Sequence, residues 1–171
     1  IMRRFKLNVL QVHAYGVRDG LLLSMIEELQ GSNHRDLPAD DLAQMERFSA
    51  ACGVELQHAR HVARLACQIY TGLCEHFELN KQDLRLLDAA ARLQDVGYLI
   101  NYECHHKHSY HLILHSHIEG FRPEDLEVIA NVARYHRGSE PKRKHDNFRQ
   151  LSSDDQVRVR RAVEIGLDLL Y

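Results

Sequence analysis

The stretch LLDAAARLQDVG, Leu86–Gly97, decides the fold. With Leu84 just before it, Leu87, Ala90 and Ala91 recur at the three- and four-residue steps of one helix face. Asn80, followed by Asp83 three positions later, reads as the cap that opens this helix, and Gly97 as the residue that ends it. The helix therefore has one apolar side that needs partners, and it delivers Gln94 and Asp95 to its far end.

Working outward, the flanking sequence supplies those partners. Pro38 suits a first helical turn, and Asp40 and Asp41 favour the positive end of a helix dipole; this helix runs to about Cys52, where Gly53 breaks it. The next, about 54–77, carries Val62, Leu65, Ala66, Ile69, Leu73 and Phe77 at helical spacing. Residues 106–117 predict a further helix. Pro123 starts another, with Leu126, Ile129, Ala133 and His136 on one stripe and Gly138 and Pro141 as its stop. Ser152 and Ser153 cap a final helix that reaches Tyr171. The first residues differ: 5–15 alternate like a short strand, Gly16 and Gly20 bracket a turn, and 21–29 form a short helix closed by Gly31-Ser32-Asn33. A lone strand is not stable by itself. The expectation is a mainly α chain: a bundle of about six helices over 34–171, preceded by a remnant of another domain over 1–33.

Composition narrows the function classes. The 171 residues suffice for one real core, and 44% apolar with 27% charged residues describes an ordinary globular protein. No run approaches the ~18 apolar residues of a membrane span, and no signal-peptide layout follows the charged start. A first residue Ile1 rather than Met suggests a truncated chain. A net charge of -2 excludes a surface that is basic all over, so any anion site is local and nucleic acid is not the expected partner. Cys52, Cys67, Cys74 and Cys104 show no paired spacing, which points to reduced thiols and a cytoplasmic setting. Histidine is the unusual count, at 13, and eight lie between His105 and His145.

Two sets of residues could carry chemistry. The first, in chain order, is His58, Asp95, His105, His106, His136 and Asp168, imidazoles and carboxylates spread over several helices that a bundle could bring together around a divalent ion. Each has a plainer use: His58 as a capping or surface histidine, Asp95 bonding backbone N–H groups, His136 as a hydrogen-bonded core residue, Asp168 merely exposed. His108, His111 and His115 share a helix face and read as a solvated stripe. The second set is basic: Arg134, His136 and Arg137, then Lys142, Arg143 and Lys144, five fixed charges that could line a single edge as a polyanion groove or form a solvated loop.

Taken together, YGVRDG (Tyr15–Gly20), HARHVARLA from His58, LLDAAARLQDVG (Leu86–Gly97), HHKHS (His105–Ser109), GFRPE (Gly120–Glu124) and RYHR (Arg134–Arg137) resemble the exopolyphosphatase / guanosine pentaphosphate phosphatase family, in family order across almost the whole chain. The resemblance implies that this is the C-terminal, HD-like helical domain, with an end piece of the actin-like lobe at 1–33. It also implies that the catalytic actin-like half lies upstream. The implied role is help in binding polyphosphate or guanosine pentaphosphate, and dimerisation, with no cofactor in this piece and a divalent metal, Mg or Mn, in the parent enzyme. The departure is Gln94, where an HD site has the metal-binding histidine of its His-Asp pair; a neutral amide oxygen is a weak ligand. The expectation is therefore less than one equivalent of metal and no hydrolysis by this piece alone. Two rivals remain: an active HD-type metallophosphohydrolase using His58, Asp95, His106, His136 and Asp168, and a sensor that binds nucleotide or polyphosphate without cleaving it.

Overall fold

The computed structural model describes residues 41–77, 81–118, 120–137 and 140–164. Contacts divide the chain into two compact units, Ile1–Asp36 and Leu37–Tyr171. The expected strand over 5–15, the helix over 21–29 and the boundary at 33/34 lie outside the described residues, as does Asp168. Within the second unit the elements are α1 (Asp41–Ala51), α2 (Leu56–Phe77), α3 (Lys81–Leu93), a 3-10 turn (Val96–Leu99), α4 (His105–Leu114), α5 (Pro123–Arg134), α6 (Asp146–Arg149) and α7 (Ser153–Ala162). There is no strand among the described residues, so the fold is mainly α.

The core follows the apolar spacing. On α2, Ala59, Val62, Ala63, Ala66 and Tyr70 are buried, and this face packs on α3. α3 buries Leu86, Leu87, Ala89, Ala90, Ala91 and Leu93, and α5 buries every residue from Val128 to Ala133. Helices apolar on most sides belong in the middle of a bundle. Accordingly α3 meets α1, α2, α5 and α7, while α5 meets α3, α4 and α7. Arg92 and Glu46 add a polar clasp: Glu46 accepts from Arg60 at 2.7 Å and lies 3.4 Å from Arg92, which also reaches Asp88 at 2.9 Å, joining α1, α2 and α3.

Helix ends depart from the sequence expectation in three places that matter for the site. α3 stops at Leu93, not Gly97; Gly97 instead sits inside the 3-10 turn. The reason is proximity: a Cβ at Gly97 would lie 2.0 Å from the His105 carbonyl oxygen, so only glycine lets α4 lean this close. α4 covers His105–Leu114 rather than 106–117. α5 ends at Arg134, so His136 lies beyond the helix, and its Nδ1 turns back to the Ala133 carbonyl. The expected cap at Ser152 is present, its hydroxyl accepting from the Asp155 N–H at 3.1 Å. At the start of α5, Pro123 occupies the first turn and the Asp125 carboxylate accepts from both the backbone and the guanidinium of Arg122.

Candidate functional site

Three elements meet where α3 gives way to the 3-10 turn. The turn delivers Asp95, the first residue of α4 is His105, and the segment after α5 delivers His136. All three are buried, at 5%, 1% and 1% exposure. The chain enters α4 through Cys104, whose φ of 58° is the left-handed region that a side chain adopts only at some cost, about 1–2 kcal/mol. Ser109, fully buried one turn into α4, ties that helix to the turn: its hydroxyl donates to the Gln94 carbonyl and accepts from the Gly97 N–H at 2.9 Å.

The resulting geometry is a small triangle. His105 Nε2 is 3.1 Å from His136 Nε2 and 3.4 Å from Asp95 Oδ1, and His136 Nε2 is 3.8 Å from Asp95 Oδ1. The other ring nitrogens face carbonyls: His105 Nδ1 lies 3.1 Å from Tyr102 O and His136 Nδ1 2.6 Å from Ala133 O. Burial pushes the Asp95 carboxyl up, while His105, His58, the Gln94 amide and Arg137 pull it down. Burial also drives His136 down to about 4, so its imidazole is neutral near pH 7. Asp95 Oδ1 and both amide atoms of Gln94, which is 1% exposed, make no hydrogen bond of proper geometry. Tyr98 packs over this cluster, its ring 4.2 Å from that of His105.

Beside the triangle opens a cleft of about 780 Å³ lined by Tyr102, Glu103, Cys104, His106, Lys107, Arg134, Tyr135, Arg137 and His145. Lys107 and Arg137 are exposed, and Arg134 lies over the rings of Tyr110 and Tyr135 at 5.5 and 5.9 Å. The His145 ring stacks on Tyr135, its Nδ1 2.9 Å from the hydroxyl. Burial and the positive neighbours of His106 and His145 hold both imidazoles below the ordinary histidine range. One carboxylate, Glu103, stands among these positive and neutral groups.

The residues expected from sequence are thus sorted by position. Asp95, His105 and His136 converge; His106 sits next to them, its ring 5.9 Å from that of His105 and 6.4 Å from that of His136, but faces the cleft. His58 is exposed on the first turn of α2, and its charge reaches Asp95 without joining the triangle. His136, also expected among the polyanion residues, is buried instead, as its place on the apolar stripe with Leu126, Ile129 and Ala133 and its plainer use as a hydrogen-bonded core residue imply. The basic run does not form one edge. Arg134 and Arg137 line the cleft, whereas Lys142 and Arg143 line a second depression of about 290 Å³ with Arg160, Pro141, Val163, Glu140 and Glu164. Lys144 is exposed in the same loop. Lys107, Tyr135 and His145 do not stand out as cleft residues in the sequence. The HHKHS run is the available signal for Lys107, while the loop that brings His145 back onto Tyr135 leaves none.

Residues 42–168 match the family described as Ppx/GppA phosphatase, domain III. Among curated proteins, the chain is 31% identical over 145 residues to a guanosine-5'-triphosphate,3'-diphosphate pyrophosphatase of Pseudoalteromonas translucida, covering 84% of this chain and 28% of that protein. It is 26% identical over 129 residues to the protein of the same name from Pseudoalteromonas atlantica, covering 75% and 24%. With the one from Photobacterium profundum it shares 24% identity over 156 residues, covering 91% and 30%. The chain spans less than a third of the length of each of these relatives.

Proposed function

Since the chain belongs to the Ppx/GppA phosphatase family and carries its domain III, we propose that it serves a phosphoanhydride hydrolase by holding an anionic substrate, polyphosphate or guanosine pentaphosphate, in the cleft between α4 and the end of α5. The observation that carries this reading is the convergence of Lys107, Arg134 and Arg137, with His106 and His145, on one concave surface of a chain whose net charge is -2. A phosphate chain repeats a negative charge at every unit, so several exposed ion pairs, each weak alone, gain together by releasing counterions. Arginine supplies a forked donor for phosphate oxygens and lysine a mobile point charge. The names of the relatives, which specify a guanosine 5'-triphosphate 3'-diphosphate substrate, support the nucleotide as one ligand. Dimerisation belongs to the same proposal and rests on the family resemblance. Hydrolysis is assigned to a further part of a longer parent protein, a reading supported by the relative from Pseudoalteromonas translucida, which is more than three times as long as the stretch matched here.

Binding of labelled polyphosphate and of guanosine pentaphosphate, followed over a salt series, tests the reading. The double variant Lys107→Ala, Arg137→Ala should weaken binding and lower the salt slope by roughly 1.5, at about 0.7–0.9 for each phosphate charge that is no longer neutralised. Replacing Lys142, Arg143 and Lys144 with alanine should have the smaller effect. The opposite ranking moves the ligand to the second depression and refutes the cleft; no binding by the intact chain at low salt refutes the role altogether.

A further inference from the structure

Two features of the cleft are not explained by anion binding. The first is its aromatic rim. Of the four large apolar side chains exposed among the described residues, two are Tyr98 and Tyr102, at 36% and 68%. Their rings stack, 5.3 Å apart and within 10° of parallel, and Tyr98 leans in turn on His105 at 4.2 Å. The segment that carries the outer ring is tied down. The Tyr102 carbonyl accepts from the His105 backbone N–H at 3.4 Å, and the Asn101 side chain accepts from the Glu103 N–H at 3.1 Å. Tyr102 lines the cleft, so a held, flat ring stands open to water beside the cations. Burial, Asp95 and Tyr102 push the Tyr98 hydroxyl up while Arg137 pulls it back, which puts that guanidinium within electrostatic reach of the stacked pair. The second feature is Glu103. It lines the same cleft, is exposed, and no salt bridge among the described residues uses it. A carboxylate set among Lys107, Arg134 and Arg137 repels a phosphate chain, so a site for phosphate alone would be better without it.

We propose that this end of the cleft is a guanine subsite: the base stacks on Tyr102 and its Watson–Crick edge meets Glu103, while Lys107 and Arg137 take the phosphates. The inference rests on the anion reading and names which of its two ligands the cleft selects. Any base offers a flat π-face to an exposed aromatic ring, so stacking on Tyr102 tells a nucleotide from a bare phosphate chain but not one base from another. Guanine adds two adjacent donors, the ring N1–H and the 2-amino group, which the two oxygens of one carboxylate accept together. Adenine presents a lone pair at N1 and is repelled there. Inorganic polyphosphate has neither face nor donors; it gains nothing from Tyr102 and meets only repulsion at Glu103.

The test compares guanosine triphosphate, adenosine triphosphate and inorganic tripolyphosphate, which have a triphosphate chain in common, by binding to the full chain and its variants at one salt concentration. The parent should prefer guanosine triphosphate to the other two. Tyr102→Ala should weaken both nucleotides about 5- to 10-fold and leave tripolyphosphate unchanged, whereas Tyr102→Phe, which keeps the ring, should restore them. Glu103→Gln should act in opposite directions, weakening guanosine triphosphate about 10-fold while strengthening tripolyphosphate. Retained tripolyphosphate binding shows that each variant is folded. Nucleotide and tripolyphosphate affinities that rise or fall together in these variants overturn the subsite and leave the anion reading standing, as does a parent that does not distinguish the two nucleotides. A parent chain that binds none of the three overturns both.

Discussion

Gly97→Ala separates two physical roles for one glycine by the sign of its effect. As a mere helix terminator, Gly97 would be improved by alanine, by up to about 1 kcal/mol, because alanine loses less backbone entropy. As the point of closest approach between the 3-10 turn and α4, it admits no side chain. An added Cβ would stand 2.0 Å from His105 O, 2.6 Å from Ser109 N and 2.8 Å from Ser109 Oγ, two of them backbone atoms that cannot swing away. To reach even a tight 3.0 Å approach, α4 must withdraw by 1.0 Å, the difference between that limit and the 2.0 Å separation. That withdrawal breaks the Gly97 N–H bond to Ser109 Oγ and the Ser109 bond to the Gln94 carbonyl. Overpacking costs about 1–3 kcal/mol, and a buried group left without its partner about 1–3 more. The expected loss is about 2–6 kcal/mol, or a thermal midpoint lower by roughly 10 °C for a chain of this size. Urea and thermal unfolding of variant and parent measure it. Ser109→Ala, which removes the tether without adding bulk, should cost less, about 1–3 kcal/mol. A Gly97→Ala chain within about 1 kcal/mol of the parent, or more stable, refutes the close-packing account.

Two further outcomes follow from burial and charge. Of the described cysteines, Cys104 is exposed, whereas burial pushes the Cys52 thiol up to about 12 and Cys67 up to about 11; iodoacetamide at mildly alkaline pH should label Cys104 first, as peptide mass spectrometry will show, and equal labelling of Cys52 in the folded chain would contradict the packing of α1. The Arg122 guanidinium holds the Asp125 carboxyl below its ordinary value. The capping contribution is therefore full above the unfolded pKa and fades as pH falls through the folded one. Asp125→Asn should cost about 1 kcal/mol at neutral pH, with the difference from the parent vanishing in strong acid; a constant difference would show that charge is not involved.

Most of the helices are legible in sequence because their signals are local. Leu126, Ile129 and Ala133 repeat at helical steps after Pro123, and Ser152 precedes Asp155 by the three residues a cap requires, so neighbouring residues alone announce α5 and the start of α7. The candidate site is legible only as a set of residue types. Asp95, His105 and His136 stand out by their chemistry, and the stripe of Leu126, Ile129 and Ala133 already points His136 inward as a hydrogen-bonded core residue. What no local signal gives is that α5 stops at Arg134 and that the three side chains meet, because both depend on tertiary packing. Gly97 reads as a terminator because glycine is common there; its closeness to His105 joins two segments and leaves no trace in either one. Lys142 and Arg143 follow Arg137 closely in sequence, yet the loop carries them to the second depression with Arg160, so proximity along the chain does not translate into one surface.

His105 and His106 are consecutive on the first turn of α4, yet one closes the buried triangle and the other lines the cleft. Their backbones move together, while each ring keeps its own side-chain rotation. A shift of this helical turn would therefore carry both rings at once, so that order in the buried cluster and the shape of the cleft wall would change together. A cleft ligand that favoured one position of the turn would also favour the buried packing that goes with it, and such linkage is reciprocal. One peptide step would then let the packing of the interior set the shape of the outer surface, with no hinge, lid or domain movement.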